Sequence, residues 1–433
     1  MSTSSTSTSD IDSDTPSDTF NREEWIGVGR ILPENPNLIP TGLANLFALL
    51  LQVPSHVKAA YYPSPSLDVS HFIAFSLPEQ THSLPKIHVV ECFSSSVPNE
   101  HEDNFLTHRL PARHFVDESL HRFRQAVLDG MKTIVHPAFP GSYLPLWCIQ
   151  FWNDMWKLYE KKGEWKNAAE WLDENSNSAE SELFRCARQT FGTLRWNEET
   201  DISGANRATT LDFASFLSHN AMMSTVHMDM MFAYLSELLG EQGTTHVETM
   251  RFWFEIDQLK SEVDLEKRSK RFMKQIEHRI ADNEIKVLIM PCFLTRQSHW
   301  LTIKIDFADK TITYGKGQIM RTIIITLIYV TGDSLSHKKM PPPTQMIQKL
   351  GWWSKDRLGI VLRDLGDVLP HGEQDDWTDC GIVAVNTAFH EIDNNRPLWT
   401  PQRKRGERVW WFLILLCQHI LDVSLVAVHV QLE

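Results

Sequence analysis

The stretch "DDWTDCGIVAVNTAFHEI", residues 375–392, sets one cysteine, Cys380, between Asp379 and Gly381 where a loop turns into an apolar helix. The free N–H groups at a helix start stabilise a thiolate, so this placement lowers a thiol pKa from its usual value of about 8.5. By itself the position fits a buried structural cysteine better than a nucleophile. A nucleophile also needs a base, a group that orients the base, and an oxyanion donor.

Upstream, "IKVLIMPCF" (285–293) is a continuous apolar run suited to a buried strand. "HWLTIKIDF" (299–307) and "KTITY" (310–314) read as two further strands, with "ADK" as the turn between them. Two helical stretches precede them. One is "TTLDFASFLSHNAMMSTVHMDMMFAYLSELLG" (209–240), with Gly240 as C-cap and its methionines as core. The other is the charged "DQLKSEVDLEKRSKRFMKQIEHRI" (257–280), whose "KRSKR" run is a solvated face. Helices, strands, then a helix make an α+β pattern. His299, at a strand end, is placed to reach a neighbouring element and to form a thiolate–imidazolium pair with a cysteine.

"HW" at the head of a strand ending in "IDF", "KTITY" directly after it, Gln374 six residues before Cys380, and "DCG" before an apolar helix form a set. That set resembles the ubiquitin-like-protein-specific cysteine proteases, the SUMO-type and adenain-like family. "FLSHNAMMSTVHMDMMFAYL" is similar to the family's opening segment, with Phe216 where a Trp is usual. "RPLWTPQRKRGERVWWFLILL" (396–416) resembles the tail of fungal and transposon-associated members. The resemblance covers about residues 206–421 and implies a papain-like domain with a central mixed sheet flanked by helices. It implies Cys380 as nucleophile, His299 as general base and then acid, and Gln374 as oxyanion donor. Trp300 and Trp377 would bind the substrate's Gly-Gly tail. It implies no metal or cofactor. The implied partner is a ubiquitin-like modifier of SUMO type and its conjugates, with a nuclear or cytoplasmic, intracellular location.

The family's third catalytic group is an Asp or Asn just after the second strand. Here Lys316 stands there, seventeen residues after His299, and a lysine repels imidazolium. Asp306, at the end of the first strand, matches a structural acid. Asp333 lies in "GDSLS"; removing residues 316–332 joins "TITYG" to "DSLS" and restores the motif. Gly315-Lys316 is encodable with GTAAG and Thr331-Gly332 with CAG, so the segment reads either as a translated short intron or as a true insertion. If translated, "IIITLIYV" (323–330) is β-prone and uncharged, an aggregation hazard or an extra edge strand. Asp333 is the expected acid. The alternative is a pseudo-protease that holds a modifier without cleaving it. A third reading is a protease domain carried by a mobile element, its N-terminal half being the partner-specific part.

The rest of the chain says less about chemistry. Its 433 residues allow two or three domains, and a net charge of −13 argues against a dedicated nucleic-acid binder. Residues 1–20 are an acidic Ser/Thr-rich tail, expected to be disordered. Residues 21–205 form a mostly helical N-terminal region of unreadable function, and 206–433 the protease domain, with polar stretches near 200 marking the boundary. In the former, "LANLFALLLQV" reads as a helix, "IHVVECF" as a strand and "ESLHRFRQAVLDGMKTIV" as helical. "LWCIQFWNDMWKLYEKKGEWKNAAEWL" reads as one or two helices with core tryptophans. Six scattered cysteines without a CxxC pair, and no signal peptide, imply free thiols in a reducing compartment and no zinc site. No apolar stretch is long enough to span a bilayer.

Overall fold

The computed structural model describes Trp25 to Leu421 apart from residues 28–30, 33–34, 36–38, 82–88, 100–105, 107–108, 137, 139–140, 177–180, 201, 203–207, 219–220, 241–242, 262–269, 296–297, 316–342, 374–375 and 377. The expected tail, 1–20, lies outside the described residues, as does most of "KRSKR". The chain divides into two compact units, residues 1–64 with 75–161, and residues 65–74 with 162–433. The second unit therefore contains more than the segment expected to be the protease domain.

The first unit holds α1 (Thr41–Leu51), α2 (Ser55–Tyr61), β1 (Phe93–Ser94), α3 (Arg113–Leu128), β2 (Thr133–Val135), β3 (Tyr143–Pro145) and the start of α4 (Trp147–Asn175). The three strands form an antiparallel sheet in the order β1-β2-β3. Two sequence expectations change here. "IHVVECF" is mostly not strand: Val89–Cys92 is a 3-10 turn and only Phe93 continues into β1. "ESLHRFRQAVLDGMKTIV" leaves the helix at Leu128, because Gly130 takes φ +83° and turns the chain into β2. Leu120, Phe123 and Val127 do lie on α3, and Phe123 meets Phe47 edge-on at 6.0 Å. Trp147, Trp152, Trp165 and Trp171 of α4 are buried as core tryptophans should be, whereas Trp156 is half-buried with its indole N–H on the Pro111 carbonyl at 2.9 Å.

The second unit continues with α5 (Ser181–Phe191), a one-turn helix at Thr210–Ala214, α6 (Thr225–Leu239), β4 (Thr245–Val247), α7 (Met250–Asp257) and α8 (Arg271–Ala281). Then come β5 (Val287–Leu294), β6 (His299–Asp306), β7 (Thr311–Gly315), α9 (Thr344–Leu358), β8 (Arg363–Asp367), α10 (Cys380–Ile392) and α11 (Lys404–Leu421). The sheet order is β4-β5-β6-β7-β8, with β5-β6 and β6-β7 antiparallel and the two outer pairs parallel. This is the α+β mixed sheet that the sequence implied. The apolar β5 is an inner strand, which explains why its sequence does not alternate. α10 is buried from Cys380 through Phe389, as a helix apolar on all sides must be. It packs on β6 and against α6. Gly240 closes α6 at φ +64°, where a side chain would be strained.

The long helical stretch expected over 209–240 is broken. The backbone leaves the helix after Ala214 and re-enters at Thr225, where Ser224 and His227 form a reciprocal cap. Carbonyls freed in this interval receive side-chain donors, as described below. On α6, Asp229 accepts the Met250 N–H at 2.8 Å, yet burial pushes its carboxyl up to about 6. A raised carboxyl pKa favours the folded state while the group is protonated. Stability is thus complete below about pH 4 and declines as pH rises through 6, by at most about 3 kcal/mol. Asp229→Asn is expected to flatten this slope and to be the more stable form at pH 7.5. Denaturant melts of both proteins at pH 4 and 7.5 check it; parallel curves would refute it.

Candidate active site

Cys380 opens α10 and His299 opens β6. Strand and helix start at the same end, and three contacts fix their register. The backbone N–H of Trp300 lies where it favours the Cys380 thiolate. Thr302 Oγ1 donates to the Ala384 carbonyl at 2.5 Å, and Lys304 Nζ reaches Glu391 at 2.6 Å. Side chains two apart on a strand share a face, so Thr302 and Lys304 present one side of β6 to the helix. The contacts along β6 and α10 put the His299 end of the strand at the Cys380 end of the helix. Both residues are 2% exposed.

Trp300 is buried, its indole N–H donating to the Met223 carbonyl at 2.8 Å and its ring 4.6 Å from that of Phe293. The Met223 side chain in turn lies on Gly381. A Cβ at Gly381 would sit 2.6 Å from Met223 Cβ, so the "DCG" glycine is required by close approach. Phe216, in the same irregular interval, is buried edge-on to His227 at 5.2 Å. Behind the site, Asn386 of α10 accepts the Trp399 N–H at 2.6 Å and donates to the Pro397 carbonyl at 3.1 Å. The Trp399 carbonyl lies against Gly372, where a Cβ would approach it to 2.3 Å. The loop leading to Cys380 is thus held down two residues before Gln374.

The electrostatics correct one expectation. Burial pushes the Cys380 thiol up, and the N–H groups of Trp300 and Gly381 pull it down without overcoming that effect. Asp379 and Asp376 push it further up. The helix start does help the anion, but desolvation outweighs it in the resting protein. Asp306 behaves as the structural acid expected of it. Its Oδ1 accepts the N–H groups of Ala308 and Asp309 at 3.0 and 2.9 Å, closing the β6–β7 turn. Asp333, Gln374, Trp377 and Lys316 lie outside the described residues. None of the six cysteines is disulfide-bonded.

Two site residues escaped the sequence reading. Asp379 is wholly buried and pairs with Arg408 at 2.6 Å and Lys404 at 2.9 Å, both from α11. The signal was present: Arg408 directly precedes the apolar run "VWWFLILL", where a charge needs a buried partner.

No protein-family model and no curated protein matches the chain. Among solved structures, the SUMO protease Ulp1 with its catalytic cysteine oxidized to a sulfonic acid is similar at 17% identity. That match covers 51% of this chain and 89% of the other, with a TM-score of 0.36. The C-terminal Ulp1 protease domain in complex with Smt3, the yeast ortholog of SUMO, matches at 17% identity over 54% of this chain and 92% of that one, TM-score 0.36. The catalytic domain of the Chaetomium thermophilum Ulp1-like SUMO protease matches at 13% identity over 47% and 77%, TM-score 0.33.

Proposed function

We propose that the chain is a cysteine protease that cleaves after the C-terminal Gly-Gly of a ubiquitin-like modifier of SUMO type, in processing or deconjugation. The observation that carries the reading is the hydrogen bond from Thr302 Oγ1 to the Ala384 carbonyl at 2.5 Å, which holds the strand opened by His299 against the helix opened by Cys380. In this reading His299 takes the thiol proton and the Cys380 sulfur attacks the terminal glycine carbonyl. The tetrahedral oxyanion is met by Gln374 and by backbone N–H groups near Cys380, each such donor contributing about 3 kcal/mol. His299 then gives its proton to the leaving amine, the C–N bond breaks, and a thioester remains. Water, deprotonated by His299, releases the modifier and regenerates the thiol. Trp300 and Trp377 would line the tail's channel, and Asp333 would orient His299. A SUMO-vinyl-sulfone probe is expected to label the protein lacking residues 316–332, and Cys380→Ala to abolish labelling. Failure of every ubiquitin-like probe to label it would overturn the proposal.

A second reading has its own support. The Cys380 thiol is pushed up by burial, and a lysine follows β7 where an acid is needed. The chain as written would then bind a modifier without turning it over. Binding by the full chain, with no turnover even after the deletion, would favour that alternative.

A further inference from the structure

An aspartate directly before a helix ordinarily turns its carboxylate onto the helix's first N–H groups. Asp379 occupies that position ahead of α10 but makes no side-chain cap. Its carboxylate points instead to α11. Arg408 donates to Asp379 Oδ1 through Nε at 2.9 Å and Nη2 at 2.6 Å, and Lys404, one turn earlier, lies 2.9 Å from Oδ2. Lys404 also pairs with Asp376, so two acids meet two cations in one cluster. The guanidinium has further partners. Nη1 donates to the Ser215 carbonyl at 3.1 Å and Nη2 to the Ala221 carbonyl at 2.9 Å. Both carbonyls belong to the irregular interval that delivers Met223 to Trp300 and to Gly381. Arg408 is wholly buried and therefore fixed at the crossing of these three segments.

We propose that Arg408, assisted by Lys404, is a positioning residue for the nucleophile: it holds the Asp379 carboxylate off the start of α10, so that the Gly381 N–H stays open to a Cys380 thiolate. Without the two cations, Asp379 would take the vacant cap, compete with sulfur for that N–H, and set a negative charge beside the thiol. The titratable or charged groups concerned are His299 on β6, Asp376 and Asp379 in the preceding loop, and Lys404 and Arg408 on α11. The inference deepens the protease reading and rests on it for its significance, but its test needs no modifier. Loss of SUMO cleavage and failure of this proposal are therefore separate results.

The test is the pH profile of Cys380 alkylation by iodoacetamide in the full chain, followed by mass spectrometry of the Cys380 peptide. Arg408→Met is expected to move the profile to higher pH and to slow alkylation at pH 7.5 at least about tenfold, since the thiolate fraction falls about tenfold when the titration midpoint rises by one on the pH scale. Adding Asp379→Asn to Arg408→Met is expected to restore most of the rate. Removing the acid would also relieve a purely structural defect, read in a denaturant melt, but would not return the pH midpoint of alkylation, so the midpoint is the deciding readout. Lys404→Met leaves Arg408 in place and is expected to slow alkylation several-fold, so it carries the test if Arg408→Met does not fold. A wild-type rate in Lys404→Met, or a double variant no faster than Arg408→Met, overturns the proposal.

Discussion

Deleting residues 316–332 is expected to raise the rate of Gly-Gly cleavage by roughly 100- to 10,000-fold, the range lost when a triad acid is disabled. Strand register is the reason. Gly315 is paired with Thr302 across β6 and β7. In the shortened chain, one more antiparallel step would set the next residue opposite Leu301, on the same face as His299 and one diagonal neighbour away, a distance of about 7–8 Å that an acidic side chain can bridge. After the deletion that residue is Asp333, whereas Lys316 follows Gly315 in the full sequence. Gly315 itself is close-packed, since a Cβ there would lie 3.2 Å from Thr387 of α10 and 3.3 Å from His371. The strand end at Gly315 is therefore anchored. Turnover of a SUMO–fluorophore substrate by the two chains measures the effect. Equal rates would sink the idea and leave the modifier-binding alternative. Messenger RNA sequenced across the Gly315–Asp333 junction supplies an independent check, since uniform retention of the segment would reject the intron.

Glu407→Ala is expected to destabilise the second unit by about 3–5 kcal/mol, the usual result of stranding a buried charge. Glu407 is 3% exposed and pairs with Arg396 at 2.7 Å and with Arg403 at 3.1 Å. Arg396 is nearly as buried, and its guanidinium lies 5.0 Å from the Phe389 ring and 4.3 Å from that of Trp410. Truncating Glu407 would leave that guanidinium in an aromatic cage without its counter-charge. The pair joins the segment after α10 to the start of α11, the helix that carries Arg408. Glu407→Gln should cost less, because it keeps an acceptor for Arg396. Chemical denaturation followed by near-UV circular dichroism reads the difference. A loss below about 1 kcal/mol, typical of an exposed pair, would contradict this picture.

The strands and the cysteine helix were legible because each is governed by one strong local rule. "IKVLIMPCF" reads as a buried strand from its continuous apolar run, and "GIVAVNTAFHEI" as an apolar helix. The interval 215–224 was not legible. Among its described residues, the carbonyls of Ser215, Ala221 and Met223 accept donors from Arg408 and Trp300, partners that no local pattern announces. The thiol's electrostatics were read in the wrong direction for a similar reason. A sequence shows that Cys380 starts a helix, but the burial that outweighs the helix start depends on β6, α6 and the Met223 interval. Arg408 was missed because its partner, Asp379, lies twenty-nine residues away in sequence.

The second unit also has a kinetic consequence. Phe72 stacks on Trp196 at 4.2 Å, and the Val69 N–H donates to the Leu194 carbonyl at 2.7 Å. Residues 65–74 therefore leave the ribosome long before the partners that receive them. At about 5–20 residues per second, the wait for Trp196 is on the order of ten seconds. During that time Phe72, wholly buried in the finished unit, lacks the Trp196 ring that it stacks on. A nascent chain stalled near residue 180 should therefore bind chaperones through this segment and release them once Trp196 has emerged.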